Sequence, residues 1–261
     1  MLSAGIAGIG FWTRGLPSWE AACAYVNEGT QPENPPARPS PQLLAPNERR
    51  RAPETVAVAL EVALAACTAA GRDPSTLSSV FASTHGDLTI TDYMCETLVG
   101  EPRTISPTRF HNSVHNAAAG YWTIGAGAMA PATAISAYDA SFAQGLLEAL
   151  AQLATGTDAV LLVGYDSNAA GPLAHVSRSE GLLGGALLLV ADALPGMTRL
   201  QARVQACEPD AAPPEGKLAQ LAAGNAMLQM LPLFEALALR HGLADITAGP
   251  GTHLRMEMTY A

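Results

Sequence analysis

The chain has 261 residues, 49% of them hydrophobic and only 14% charged, with a mean hydropathy of +0.17. That composition supports a sizeable buried core and excludes a disordered chain or a coiled coil. Twenty-three acidic against fourteen basic side chains leave a formal charge of −9, which argues against capture of nucleic acid or of an anionic membrane surface.

In chain order, Leu2–Phe11 is a glycine-punctuated apolar run that reads as a strand, and Pro17-Ser18 opens a helix through Tyr25. Six prolines between Gly29 and Pro46 forbid regular helix and predict an irregular surface excursion. Pro53 sits at a first helical position, and Val56, Leu60, Ala63, Leu64 and Cys67 form an apolar stripe until Gly71. Leu77–Ser83 reads as a strand, Thr89–Val99 and Ala117–Ala126 as helices, and Ala132–Ala137 as the next strand.

Phe142, Leu146, Leu147, Leu150 and Leu153 mark a further helix, and Ala159–Gly164 a continuous apolar strand of the kind covered on both faces. Leu182–Ala191 and Leu200–Ala206 read as adjacent strands, followed by a proline-rich linker at Cys207–Pro214. Leu218–His241 reads as a helix broken at Pro232, and Leu254–Tyr260 alternates as a closing strand. The pattern predicts an α/β fold, a layered sheet with helices on both faces.

Cys23, Cys67, Cys95 and Cys207 lie far apart, with no CxxC and no zinc-type spacing, so free thiols in a cytoplasmic protein are expected and neither a metal nor a cofactor is implied. The N-terminal segment lacks a basic region followed by a long apolar one. Phe110–Tyr138 carries no Asp, Glu, Lys or Arg, but His111, Asn112, His115, Asn116 and Pro131 make it interior rather than membrane-spanning. Gly125, Gly127 and Ala130 fit GxGxxA, yet a strand follows where dinucleotide binding needs a helix, and there is no GxSxG, P-loop or HExxH.

His111 and His115 at i and i+4 suggest a shared helical face. With Asn112 and Asn116 interleaved and no third ligand, a buried polar hydrogen-bond network is favoured over a metal site. The Glu48-Arg49-Arg50-Arg51 run could meet an anion or an acidic carrier, with a solvated cluster as the plainer alternative.

The segment Ser106–Ala149, SPTRFHNSVHNAAAGYWTIGAGAMAPATAISAYDASFAQGLLEA, resembles the nucleophile region of the β-ketoacyl-acyl carrier protein synthases of the thiolase-like superfamily. Ser106-Pro107, the Asn-containing turn, the Ala/Gly-rich helix and Pro131 before a strand occur in the family's order. Asp139-Ala140-Ser141 stands where the family has Cys-Ala-Ser/Thr. Asn47–Arg51, and Glu180-Gly181 before Gly184-Gly185-Ala186, are similar to further landmarks. The resemblance is clearest over residues 1–191 and implies one thiolase-like layered α/β/α domain over 1–261, truncated relative to full-length ketosynthases.

In that family a thiolate is acylated and then condensed with malonyl units. Asp139 is a much weaker nucleophile, and its acylation would give a high-energy anhydride; capping the following helix is the alternative role for this residue. The family's catalytic histidines come from a C-terminal half, and His241 and His253 do not sit in its motifs. The resemblance therefore implies a non-catalytic chain-length factor, similar to those of bacterial aryl polyene pathways. Such a subunit pairs with a full-length ketosynthase as a heterodimer and meets the acyl carrier protein mainly through that partner. Trp122, Met129, Tyr138 and Phe142 are the candidates for the interface or tunnel end, with ordinary core packing the alternative for all four. The competing reading is a divergent synthase or malonyl-thioester decarboxylase using Asp139 with His115.

Overall fold

The computed structural model describes residues 1–208 and 214–260, so most of the expected linker at Cys207–Pro214 lies outside the described residues. Among the described residues the strands are β1 (Leu2–Thr13), β2 (Ser78–Ala82), β3 (Ala132–Ile135), β4 (Ala159–Asp166), β5 (Leu183–Val190), β6 (Thr198–Ala206), β7 (Leu243–Gly249) and β8 (Thr252–Thr259). They form one mixed sheet in the order β3-β2-β4-β5-β1-β6-β8-β7. β2 runs parallel to both β3 and β4, and every other pairing is antiparallel.

The helices are α1 (Trp19–Glu28), α2 (Pro46–Arg51), α3 (Glu54–Ala70), α4 (Leu88–Val99), α5 (Pro107–Asn112), α6 (Ala117–Ala126), α7 (Ser141–Ala154), α8 (Lys217–Leu221) and α9 (Leu231–Ala238). Their ends follow the local chemistry. Ser18 accepts a hydrogen bond from the Ala21 amide at the start of α1, and Gly29 and Gly71 close α1 and α3 in the left-handed conformation at φ 76° and 61°. None of the helices described is long and apolar enough to cross a membrane.

Two apolar layers sandwich the sheet, as the strand alternation demands. Val160 and Leu162 of β4 and Leu187 and Leu189 of β5 join α1, α7 and α9 on one face. Leu161, Val163, Tyr165, Ala186 and Leu188 join α3 and α6 on the other. On β1 the parity changes: Ala4 and Ile6 face the α7 layer, and after an irregularity between Ile6 and Gly8 it is Ile9 and Phe11 that do so. The bulge turns Gly8 and Gly10 toward α3.

Those glycines let α3 lie directly on the strand. A Cβ at Gly8 would fall 2.1 Å from the Ala66 carbonyl oxygen, and one at Gly10 would fall 2.0 Å from that of Val62. Gly184 of β5 extends the seam, because a Cβ there would stand 2.8 Å from a Val58 methyl. A second contact runs through the opposite face, where the paired Gly164 and Gly185 make room for Phe142 and Phe234.

Three sequence-based expectations change. The runs read as adjacent strands, β5 and β6, do not pair; β1 lies between them, since its early residues pair with β6 and its later ones with β5. The helix expected over Leu218–His241 is α8, a 3-10 turn at Ala226–Met230 and α9, broken ahead of Pro232 where Gly224 takes φ 106° and Asn225 caps the turn. Pro232 occupies the first turn of α9, where its missing N–H costs nothing. Finally, β7 forms a hairpin with β8 that the sequence pattern did not reveal.

Replacing Gly10 by Ala should destabilise the fold by about 2–3 kcal/mol, because the clash is with backbone rather than with a flexible side chain. Gly29→Ala, which meets nothing within 4 Å but keeps a left-handed φ, should cost about 1 kcal/mol. Urea unfolding of the two variants checks this order; equal losses would remove the seam from the account.

Candidate functional site

The parallel strands β2, β3 and β4 end together, which places the segments that follow them, Ser83–His85, Ser136–Asp139 and Asp166–Ser167, at one carboxyl-end crevice. Asp166 is its buried centre. Its carboxylate accepts a 2.6 Å hydrogen bond from Ser83 Oγ and the Thr84 amide at 3.1 Å. Ser83 Oγ in turn accepts from the Gly86 amide at 2.9 Å, and Ser136 Oγ donates to the Thr84 carbonyl at 2.7 Å. His115 Nε2 meets the Ser83 carbonyl at 2.9 Å, a contact that requires its proton on Nε2. Asn225 Nδ2 donates toward the carbonyls of Asp166, Glu180 and Gly181, tying the segment after β4 to the one before α9.

Burial pushes the Asp166 carboxyl up to about 6, against the pull of Ser83, Thr84 and His115. Burial also lowers His85, with the nearby His115 adding to that effect and Asp139 opposing it. The Asp139 carboxylate is thus one of the charges acting on His85.

Asp139 is exposed, in the 3-10 turn Tyr138–Ala140, and makes no hydrogen bond to the described residues. It does not cap α7 as one of its two expected roles required: Ala140 holds the cap position, and the turn is pinned instead by Ser141. The Ser141 hydroxyl accepts from the Ala137 amide at 2.9 Å and donates to the Tyr138 carbonyl at 2.6 Å. Tyr138 has φ 55°, a costly conformation for a residue with a Cβ. Its hydroxyl reaches the Val176 carbonyl at 3.3 Å and Ser177 Oγ at 3.2 Å, and its ring meets His85 edge-on at 5.3 Å.

No cysteine stands in the turn between β3 and α7. Cys67 is buried in α3 and pushed up to about 12, Cys23 on α1 is raised to about 11 by burial, and Cys95 and Cys207 lie on α4 and just after β6.

Of the four interface candidates, Met129 is 95% exposed and Tyr138 is exposed, whereas Trp122 and Phe142 present almost no surface. Trp122 packs against Phe81 at 6.3 Å and Phe142 against Phe234 at 6.0 Å. Both are core residues, so neither can touch a partner at the surface. The expected polar network also divides. α5 ends at Asn112, so His111 and His115 do not share a helical face. His111 is exposed beside Tyr121 and Asn116 is exposed without a capping bond, while Asn112 is buried with its Oδ1 unpartnered. Of the four, His115 is the one that joins the buried cluster around Asp166.

No motif in the sequence marks Ser83, Thr84, His85 and Asp166 as a cluster. The available signal was a run of hydroxyl and imidazole side chains directly after one apolar strand and an acid ending another. Phe110, Val114 and Ile124 are further exposed apolar side chains. Val114 and Ile124 line one groove with Leu44 and Tyr121.

Residues 19–240 match the model of the β-ketoacyl synthase N-terminal domain. The chain belongs to this family. No match was found among curated proteins. Among solved structures, a chain of the ketosynthase ApeO in complex with its chain length factor ApeC from Xenorhabdus doucetiae is 22% identical with a TM-score of 0.75; the alignment covers 98% of this chain and 100% of that one. A chain of the ishigamide ketosynthase/chain length factor is 15% identical with a TM-score of 0.76, over 100% and 99% of the two chains. A chain of the AntDE:AntF complex, a type II polyketide acyl-carrier protein with its hexaketide-bound ketosynthase, is 12% identical with a TM-score of 0.74, over 100% and 99%. The thiolase-like layered fold expected from the sequence is therefore the fold of this chain.

Asp166 predicts a pH dependence of stability. Its folded-state value lies above the ordinary 3.8, so folding takes up a proton between about pH 4 and 6, and the stability from this group rises as pH falls through that window. The penalty present above pH 6 amounts to about 3 kcal/mol. Asp166→Asn should flatten this part of the profile in urea unfolding series between about pH 4 and 7; profiles parallel to wild type would refute the buried charge.

Proposed function

We propose that this chain is the non-catalytic member of a ketosynthase pair, a chain-length factor that joins an active β-ketoacyl-acyl carrier protein synthase and shapes the tunnel receiving a growing aryl polyene chain. The observation that carries this reading is the turn after β3. An exposed carboxylate, Asp139, stands there, and no thiol does. A carboxylate attacking a thioester would have to form an anhydride, uphill by far more than the thiol exchange that loads a synthase.

The surface supports the pairing half of the proposal. β3 is an edge strand of only four residues, Ala132–Ile135, and none of them is fully buried. An open edge flanked by apolar side chains is a surface that folded proteins cover. Met129 precedes it and Ile124 of α6 is 80% exposed nearby in sequence. Tyr138 follows it, fixed by Val176 and Ser177, and is the bulky group available to end a tunnel. With a net charge of −9 the chain itself is a poor dock for an acidic carrier, which supports carrier contact chiefly through the partner.

Co-expression with a full-length ketosynthase should give a complex that co-elutes in size exclusion. Ile124→Asp with Met129→Asp should weaken it at least tenfold, about 1.4 kcal/mol. Asp139→Asn should leave the output of the complex unchanged, whereas Tyr138→Ala should lengthen the product. Loss of turnover in Asp139→Asn, or an acyl adduct on the isolated chain by mass spectrometry, would establish the decarboxylase or synthase reading instead.

A further inference from the structure

β1 is paired along only part of one edge. β5 runs beside it from Gly5 to Thr13, but β6 pairs with Leu2–Ile6 alone, and past the bulge no strand stands there among the described residues. Thr13 shows which backbone groups face that open edge. Its N–H and C=O both bond Leu16, at 2.9 and 3.0 Å, and so point away from β5. The register is unbroken from Gly8 to Thr13, and antiparallel strands alternate, so the N–H and C=O of Phe11 and Ile9 point the same way. No hydrogen bond from the described residues reaches these four groups, although Ile9 is half-buried and Phe11 lies deeper. Unpaired backbone groups in succession, shielded from water, are rare in folded chains.

Helices on both sides of the sheet make this edge the floor of a cleft of about 360 Å³, which Ile9 and Phe11 both line. α3 forms one wall. It rests on Gly10 through Val62, which sets the neighbouring Glu61 beside the edge. The start of α1 forms the other wall, where Pro17 and Trp19 line the cleft and the indole packs on Phe11 at 6.5 Å. Glu20 and Glu61 carry the charge of the lining, which holds no cation, and neither acid is in an ion pair among the described residues. Burial raises the Glu61 carboxyl, against the 3.1 Å hydrogen bond from the Ser40 amide and the pull of Arg49.

From this arrangement we infer that the open edge of β1 docks a short extended peptide of the pattern apolar–basic–apolar, supplied by another protein. A peptide backbone presents N–H and C=O at alternate residues, about 7 Å apart, which is the spacing of Ile9 and Phe11 along the strand. Running antiparallel to β1, the first and third peptide residues bond Phe11 and Ile9. Side chains directly opposite one another share a face of the sheet. The outer two therefore lie against the α1 wall with Pro17 and Trp19, and the middle one, opposite Gly10, lies against the α3 wall beside Glu61. A basic side chain at that middle position supplies the cation that the lining lacks.

The probe is the capped peptide acetyl-Val-Lys-Val-amide. Its two controls are the same peptide N-methylated at both valines, which removes the donors facing β1, and acetyl-Val-Glu-Val-amide, which reverses the charge. Titrated into the full chain and followed by amide NMR, the lysine peptide should bind saturably and at least tenfold more tightly than either control. The Ile9 amide should shift and exchange with solvent at least tenfold more slowly in the complex. Glu61→Gln should cut the preference for lysine over glutamate at least fivefold; if that variant does not fold, the three peptides on the wild-type chain decide. No saturable binding, equal affinity for the N-methylated or the glutamate peptide, or binding that leaves the Ile9 amide unchanged would overturn the inference. Retained pairing with a ketosynthase in a chain that fails these titrations would remove this site and leave the pairing proposal standing, and loss of pairing with the peptide still bound would do the reverse.

Discussion

Helix α3 rests on β1 and β5 because three positions beneath it carry no side chain. At Gly8, Gly10 and Gly184 an added Cβ would meet the backbone or branched side chains of the helix at less than 3 Å. Close-packed interiors do not absorb such overlaps, so the distance between the helix and the sheet is fixed here. From that contact follow the register of β1 against β5, the burial of the stripe on α3 from Val56 to Cys67, and the position of β1 as the bridge to β6. The three strands beyond β1 hang on this bridge, since among the described residues β6 pairs with β1 and β8 alone.

The glycine seam and the crevice are joined through the sheet. β5 runs between β1 and β4, and β4 delivers Asp166 to the carboxyl end, where Ser83 and Thr84 donate to it and His115 buttresses the Ser83 carbonyl. A carboxyl group this deep costs stability unless its hydrogen bonds are complete, and it organises the segments after β2 and β4 by demanding those donors. The Asp139 turn lies beside this cluster without joining it. Its own support comes from Ser141 and from the Tyr138 hydroxyl, so its shape does not depend on the identity of residue 139.

Much of the architecture was legible in the sequence because its signals are local. α6 runs from Ala117 to Ala126, with the bounds its small-residue run suggests, and α1 and α3 stop at Gly29 and Gly71. Less of the site was legible. Trp122 and Phe142 have the same apolar character as Met129 and Tyr138, and composition does not say which of the four faces solvent. The His111/His115 pairing rested on a continuous helix that ends at Asn112. Asp166 and Ser83 are 83 residues apart, a separation at which no sequence pattern indicates contact.

The sequence by itself determined the layered α/β class, elements with strong local signals such as α3, α6 and β4, and the lack of a cysteine between β3 and α7, because periodicity, capping and residue identity are properties of neighbouring residues. Only the tertiary structure decided the strand order, with β1 between β5 and β6, the burial of Trp122 and Phe142, and the gathering of Ser83, His85, His115 and Asp166 at one crevice. Those outcomes depend on which surfaces meet when the sheet closes over α3 and α7, and that is set by packing and hydrogen bonding between residues far apart in the chain.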